Sequence, residues 1–241
     1  MRFMRKCVVL AFTIHHKLFN TVEKIGIENI PKEGGYVLCS NHIHWQDPFL
    51  YVSSTKRMIY AIAKEELFSS PLKAWVMKRL GLIEVKRDGS GSNKEAIQEA
   101  VNVLKSGELL IIYPEGTRFG LKKGIKPKKG VAFIALEARV PIIPMAMVGS
   151  FKRGSVIKFI VDKPMDISEY YPKEGEKVNP RNVVKVTNMV MDRIIELRDS
   201  INTEEIEREM NEAEEEREKK KLKKKAKKEA QKEEVEKLEG N

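Results

Sequence analysis

The sequence has little cysteine and no long apolar run. Its 241 residues include two cysteines, Cys7 and Cys39, which are too few for a disulfide framework and lack the spacing of a metal site. The longest apolar run near the start, Cys7 to Ile14, falls well short of the roughly 18 residues that a membrane-spanning helix needs. These shortages exclude a disulfide-stapled fold and predict a protein of a reducing compartment without a membrane-spanning helix.

Two signatures of common enzyme classes are also missing. The chain has no Gly-x-Ser-x-Gly sequence, with which a hydrolase would present a nucleophilic serine. It has no phosphate-binding Walker loop either, because none of its glycine-rich stretches is followed by Lys-Ser or Lys-Thr. Cys39 alternates with Val37 in a strand-like segment, so we interpret it as a packed thiol and not as a nucleophile.

Acidic residues are fewer than basic ones, and the imbalance is unevenly distributed. The whole chain has a net charge of +10, yet residues 203–241 contain 14 acidic and 12 basic residues and no aromatic ones. Residues 1–202 therefore carry a net charge of +12. A basic body suits nucleic acid, an anionic membrane surface or a phosphorylated substrate. Because a nucleic-acid binder would place aromatic residues among its basic ones, we expect no nucleic-acid partner.

The body alternates between strand-like and helix-like segments, which predicts an α/β fold with a layered mixed sheet flanked by helices. The predicted strands are Thr21–Glu28, Tyr36–Ser40, Met58–Ala63, Leu82–Lys86, Leu109–Tyr113, Ile142–Val148 and Val156–Val161. The predicted helices begin at Asp47-Pro48, cover Leu72–Leu80, run from the capping box at Ser92 to near Gly107, and cover Gly130–Arg139 and Pro180–Ser200. Two prolines, Pro141 and Pro144, indicate that the sixth strand is an entry or edge strand.

The two ends of the chain differ from the body. Residues 1–20 mix basic and apolar side chains, which predicts an amphipathic helix on a membrane surface or an ordinary helix packed on the domain. Residues 203–241 predict a charged tail that is helical or disordered, because apolar residues are too sparse for a coiled-coil seam. We therefore expect a membrane-surface helix over 1–20, an α/β domain over 21–202 and a charged tail over 203–241.

The strongest local signal is the polar cluster that follows the second predicted strand. His42 and Asp47 lie in the turn between this strand and a helix, where α/β sheets place reactive groups. A carboxylate that accepts a hydrogen bond from one imidazole nitrogen leaves the other nitrogen free to take a proton. Taken singly, Asp47 is better explained as a helix N-cap and His42 as a packed turn residue. With His44 they could also ligate a metal, but no fourth ligand is evident, so we expect none.

Two further clusters follow other strands. Arg87 ends the fourth predicted strand just before a capped helix, a position that suits a phosphate or a solvated surface arginine. The apolar fifth strand ends in Pro114–Arg118, where Glu115 and Arg118 could bind a polyol and a phosphate or pair with each other. Lysines at 122, 123, 126, 128 and 129 add positive charge next to this segment.

Four sequence blocks in this order resemble the 1-acyl-sn-glycerol-3-phosphate acyltransferase family of glycerolipid acyltransferases. The blocks are Asn41-His42-x4-Asp47, Gly81-x5-Arg87, Pro114-Glu115-Gly116-Thr117-Arg118 and Val140-Pro141-Ile142-x-Pro144. The resemblance covers about Thr21 to Ser168 and leaves out the tail. Two positions depart from it, because His44 and Phe119 stand where the family often has serine.

The resemblance implies an O-acyltransferase that moves a fatty acyl group from acyl-CoA or acyl-carrier protein to the 2-hydroxyl of 1-acyl-sn-glycerol 3-phosphate. It implies that His42 is the general base and that Asp47 orients it. It also implies that the acceptor is held by Asn41, Arg87, Glu115, Gly116, Thr117 and Arg118. No metal and no cofactor are implied, since the acyl donor is itself a substrate.

Long-chain substrates further imply peripheral binding to an anionic membrane surface, at the cytoplasmic face of the cell membrane. One alternative is a related enzyme that acylates glycerol 3-phosphate or another lysolipid. A more distant alternative is a basic RNA-associated protein, which would leave the four sequence blocks as a coincidence.

Overall fold

The computed structural model describes residues 2–86, 93–120 and 124–201, together with Arg208. Seven strands form one sheet: β1 (Thr21–Ile25), β2 (Tyr36–Ser40), β3 (Ile59–Lys64), β4 (Leu82–Val85), β5 (Leu109–Ile112), β6 (Ile142–Gly149) and β7 (Val156–Val161). Their spatial order is β1-β7-β6-β2-β5-β3-β4, and every neighbouring pair is parallel except β6 and β7. The predicted α/β fold with a mixed sheet is confirmed.

In the part of the chain that the structure describes, six α-helices are bounded and surround the sheet. They are α1 (Arg2–Phe19), α2 (Asp47–Val52), α3 (Pro71–Arg79), α4 (Lys94–Lys105), α5 (Gly130–Ala138) and α6 (Pro180–Asp199). The helices α3 and α6 begin as their sequences predict: Ser70 and Asn179 accept backbone hydrogen bonds, and a proline follows each of them. The predicted cap at Ser92 and the predicted tail lie outside the described residues, apart from Arg208.

The first strand is shorter than predicted. It ends at Ile25, and a 3₁₀ turn over Ile27–Asn29 follows where the prediction continued the strand to Glu28. Gly26 causes this change of direction, because its φ of 73° lies in the left-handed region and a Cβ there would clash with the carbonyl oxygen of Val161. The local apolar alternation could not reveal this close approach.

The prediction of an edge position for β6 is wrong, because β6 lies between β2 and β7. Pro141 does precede its first residue, as an entry proline would. Pro144 is tolerated because its missing N–H lies on the β7 side just beyond Val161, where β7 ends and Asp162 donates its backbone N–H to the Pro144 carbonyl. The missing N–H therefore falls at the end of the β6–β7 ladder and not in its middle.

Alternate residues of each strand supply two apolar layers. Val37 and Cys39 of β2 face the layer that α4, α5 and α6 cover, whereas Leu38 faces the layer that contains α2. Burial raises the pKa of the Cys39 thiol far above its usual range, which keeps the thiol protonated. This supports the interpretation of Cys39 as a packed residue.

The helix α1 packs on the body through aromatic contacts. Its Phe12 ring stacks on Phe49 of α2 with 3.7 Å between the ring centroids, and His16 is only 3% exposed. The opposite side of α1 exposes Leu10, Ile14 and Leu18. No α-helix within the described ranges is long and apolar enough to cross a membrane.

Candidate active site

The polar clusters predicted from the sequence meet at one edge of the sheet. The strand β2 is parallel to β5 on one side and to β6 on the other, so the segments that follow all three strands leave the sheet at the same edge. These segments carry the blocks at 41–47 and 114–118. The predicted phosphate-binding residue Arg87 lies outside the described residues.

The centre of the site is a hydrogen bond between His42 and Asp47. His42 Nδ1 lies 2.8 Å from Asp47 Oδ2, and the Asp47 side chain is fully buried whereas the His42 side chain is 19% exposed. A carboxylate only accepts hydrogen bonds, so Nδ1 carries the proton and Nε2 has a free lone pair. The imidazole is therefore arranged to take a proton at Nε2 from a group that enters from the exposed side.

The sequence-based interpretation of Asp47 as an N-cap is wrong. Asp47 is already in the first turn of α2, and Gln46 precedes the helix. The carboxylate turns back to accept backbone hydrogen bonds from Ile43 at 2.7 Å and from His44 at 3.0 Å. It thus fixes the backbone of the turn and the imidazole at once.

The main chain of His42 is held from the other block. Its N–H donates to Glu115 Oε1 at 2.9 Å, and its carbonyl accepts from the N–H of Phe119 at 2.7 Å. Glu115 is only 2% exposed, although the sequence suggested a substrate ligand. Its position matches a residue that orients the base, and a contact with substrate remains a prediction.

Asn41 is likewise engaged by the protein. Its Nδ2 donates to the carbonyl of Met147 at 2.8 Å and its Oδ1 accepts from the Met147 N–H at 2.7 Å. The side chain is 4% exposed. This pair of bonds ties the start of the turn to β6, so Asn41 acts on the site as a scaffold, and its predicted contact with the acceptor remains untested.

The remaining residues of the third block form the rim. Gly116 has a φ of 62°, and a Cβ there would lie 2.6 Å from Cε of Lys128, so glycine allows this lysine to cross the loop closely. Thr117 is half-buried and Arg118 is exposed, as are Lys126, Lys128 and Lys129. The predicted phosphate-binding side chains that the structure describes therefore face solvent beside the base, while Lys122 and Lys123 lie outside the described residues.

Two aromatic residues of the site were missed from the sequence. Tyr113 stacks on His42 with 4.2 Å between ring centroids, and Phe151, which follows β6, stacks on His44 at 4.4 Å. Burial lowers the pKa of His44; the Asp47 charge opposes this shift and the Arg118 charge adds to it. Tyr113 stands directly before the third block, a position that could have been noticed, whereas no sequence signal marks Phe151.

The geometry of the His42–Asp47 pair suits proton transfer, and the described residues place no group of metal ligands around it. Within residues 2–86, 93–120 and 124–201, no three His, Cys, Asp or Glu side chains converge as ligands of an ion. His42 can accept a proton while Asp47 orients its imidazole. The basic side chains on the rim can attract an anionic group.

Comparison with known proteins identifies a matching family and related enzymes. A family model described as acyltransferase matches residues 21–148. The chain is 27% identical over 182 residues to a 1-acyl-sn-glycerol-3-phosphate acyltransferase of Bacillus subtilis, covering 73% of this chain and 87% of the relative. It is 27% identical over 185 residues to the protein of the same name from Borreliella burgdorferi, covering 73% of this chain and 71% of the relative.

A solved structure is similar as well. The crystal structure of the 1-acyl-sn-glycerophosphate acyltransferase PlsC from Thermotoga maritima superimposes with a TM-score of 0.57 at 26% sequence identity. The match covers 78% of this chain and 80% of that chain. The aligned region therefore extends beyond the four sequence blocks.

Proposed function

The chain belongs to the acyltransferase family, and on that premise we propose that it acylates the 2-hydroxyl of 1-acyl-sn-glycerol 3-phosphate. The donor is a fatty acyl thioester, either acyl-CoA or acyl-carrier protein, and the product is phosphatidic acid. Relatives named 1-acyl-sn-glycerol-3-phosphate acyltransferases support this choice of acceptor. The observation that carries the proposal is the His42 imidazole, which a buried Asp47 orients with Nε2 free.

The reaction follows from this arrangement. His42 Nε2 takes the proton of the acceptor hydroxyl, and the hydroxyl oxygen forms a bond to the carbonyl carbon of the thioester. The carbon–sulfur bond then breaks, and the proton on Nε2 neutralises the departing thiolate. General-base assistance of this kind contributes about 10²–10⁴ in rate. The acceptor hydroxyl loses its proton to His42, and the leaving thiolate receives that proton. The proposed reaction therefore needs only the two substrates and includes no cofactor and no metal.

The other site residues are assigned by their positions. We propose that Arg118 on the rim, together with Arg87, holds the phosphate of the acceptor, because the arginine fork matches phosphate oxygens. Gly116 and Thr117 shape the loop beside Arg118. Asn41 and Glu115 are buried and fix the turn that contains His42 through hydrogen bonds to the main chain. Such positioning lowers the barrier by removing orientational freedom before reaction.

An acceptor panel tests the proposal. Purified protein is incubated with a labelled acyl donor and lysophosphatidic acid, glycerol 3-phosphate or lysophosphatidylcholine, and products are separated by mass spectrometry. We expect phosphatidic acid from the first acceptor at a kcat/KM at least tenfold above the others, with acyl-CoA or acyl-carrier protein as donor. Preferred acylation of glycerol 3-phosphate would replace the proposed acceptor, and transfer to none of them would contradict the proposed function.

Membrane attachment is the second part of the proposal. We propose peripheral binding at the cytoplasmic face of the cell membrane through the exposed side of α1, where Leu10, Ile14 and Leu18 lie near Lys6 and Lys17. A second surface, formed by Leu67, Leu72 and Trp75, is also exposed, and Arg79 lies 4.5 Å from the Trp75 ring. Apolar insertion and attraction to anionic lipid would act together on both surfaces.

We expect the triple change Leu10→Ser, Ile14→Ser and Leu18→Ser to lower binding to anionic vesicles by at least tenfold. Each of these side chains is about half exposed or more, so it would lose apolar contact with lipid without disturbing the core. Burial of one such side chain contributes about 1.5–3 kcal/mol. Vesicle flotation at fixed lipid concentration measures the change.

Val184→Ser is the matched control, because Val184 is an exposed apolar residue on α6. It should float with vesicles like the wild type. Equal flotation of the triple variant and the wild type would remove α1 from the membrane-binding surface.

A further inference from the structure

Among the described residues, Tyr113 is the one aromatic side chain that stacks on the imidazole of the proposed base. It follows the last residue of β5 and precedes Pro114, and its ring lies 4.2 Å from the His42 ring at an interplanar angle of 21°. Its hydroxyl is buried and has no hydrogen-bond partner within the part of the chain that the structure describes. The ring thus makes the contact with the site, and the hydroxyl contributes no bond to it.

Other residues hold one ring nitrogen and the main chain of His42. Asp47 binds Nδ1, and Glu115 and Phe119 hold the main chain. None of these contacts prevents the imidazole from tilting about the His42–Asp47 hydrogen bond. The Tyr113 ring covers one face of the imidazole and blocks that tilt, which keeps Nε2 directed toward the exposed side.

The same contact favours the protonated imidazole. When His42 takes the proton of the acceptor it becomes a cation, and an aromatic face within about 6 Å attracts a cation. We propose that Tyr113 is a positioning residue for the proton transfer at His42 and that it acts through its ring, not through its hydroxyl. The proposal rests on the acyl transfer described above.

The environment of the hydroxyl agrees with this division of roles. Burial raises the pKa of Tyr113 well above its usual range, and the Asp47 charge adds to the shift. The phenol therefore stays protonated and does not compete with His42 as a base. A buried hydroxyl without a partner also costs stability, so its removal should be tolerated.

Three variants test the proposal in the full-length protein. Tyr113→Phe keeps the ring, Tyr113→Leu and Tyr113→Met remove it while keeping apolar volume, and Met adapts most easily to the gap. Tyr36→Leu is the matched control, because Tyr36 is a half-buried tyrosine at the opposite end of the neighbouring strand β2.

We expect Tyr113→Phe to keep kcat within about twofold of the wild type, with a Tm that is unchanged or higher by about 2–4 °C. Tyr113→Leu and Tyr113→Met should lower kcat by about 10–100-fold with little change in KM for the acceptor, because misplacement of a base costs rate and not binding.

A spectroscopic signature separates positioning from stability. In the wild type and in Tyr113→Phe, the ring-current shift of the His42 Cε1 proton should be present in the NMR spectrum, and it should disappear in Tyr113→Leu and Tyr113→Met. The proposal is overturned if either ring-free variant keeps wild-type kcat, or if Tyr113→Phe loses as much activity as they do. Absence of acyl transfer by the wild type would instead contradict the proposed function, so the two failures are distinguishable.

Discussion

We expect His42→Ala to lower kcat for acyl transfer by about 10²–10⁴-fold, the contribution of a positioned general base. The fold should survive, because the contacts of His42 with Glu115 and Phe119 use its main chain and remain after truncation. KM for the acceptor should change little, since the imidazole acts on the reacting hydroxyl and not on the phosphate. Initial rates with lysophosphatidic acid and acyl-CoA, together with the Tm, measure both effects.

His15→Ala is the control for this prediction. His15 lies on the exposed side of α1, so its removal takes away an imidazole without touching the site. Its rate should equal that of the wild type. A His42→Ala protein that folds normally and transfers acyl groups at the wild-type rate would remove His42 from the mechanism.

The second large effect is expected for Asp47→Asn, which should lower kcat by about 10³–10⁴-fold. An asparagine side chain has one acceptor oxygen, and the N–H groups of Ile43 and His44 require it. At the position of Asp47 Oδ2, that oxygen also faces His42 Nδ1, so the NH₂ group takes the Oδ1 position and meets the N–H donor of His44. The substitution therefore removes the carboxylate charge that stabilises the imidazolium formed during the transfer, and it sets two donors against each other.

Steady-state rates and thermal melts of Asp47→Asn separate the loss of the carboxylate charge from unfolding. Asp192→Asn, a change at an exposed position of α6, is the matched control and should leave both measurements unchanged. A small rate loss for Asp47→Asn, within tenfold, would show that the transfer does not depend on the Asp47 charge.

The strands and helices could be predicted because local patterns determine them. The boundaries of Tyr36–Ser40 and Val156–Val161 were predicted to the residue, since apolar alternation and flanking turn residues mark both. The edge assignment of β6 failed for a different reason. A proline in the sequence shows that one backbone N–H is absent. Where the neighbouring strand ends, which the sequence does not show, decides how much the sheet is affected.

The contacts of the site are also of two kinds, local ones that a sequence pattern reveals and long-range ones that it does not. The pair of His42 and Asp47 lies within one turn, so a spacing in the sequence was sufficient to find it. The contact of Glu115 with the His42 N–H joins residues 73 positions apart, and that of Asn41 with Met147 joins residues 106 positions apart. Sequence reasoning assigned both polar side chains to substrate because main-chain donors carry no sequence signal. The chain topology shows that both also support the turn at His42, and their contact with substrate stays a prediction.

The packing of α1 has a consequence for how the protein responds to a force on its first helix. His16 of α1 contacts Phe151 edge-on at 5.6 Å, Phe151 stacks on His44, and His44 lies two positions after His42. Phe12 stacks on Phe49 beside the same turn. Rigid rings in series transmit displacement with little loss, because packed aromatic groups cannot deform. A displacement of α1 would therefore be passed through these rings to the turn that contains His42.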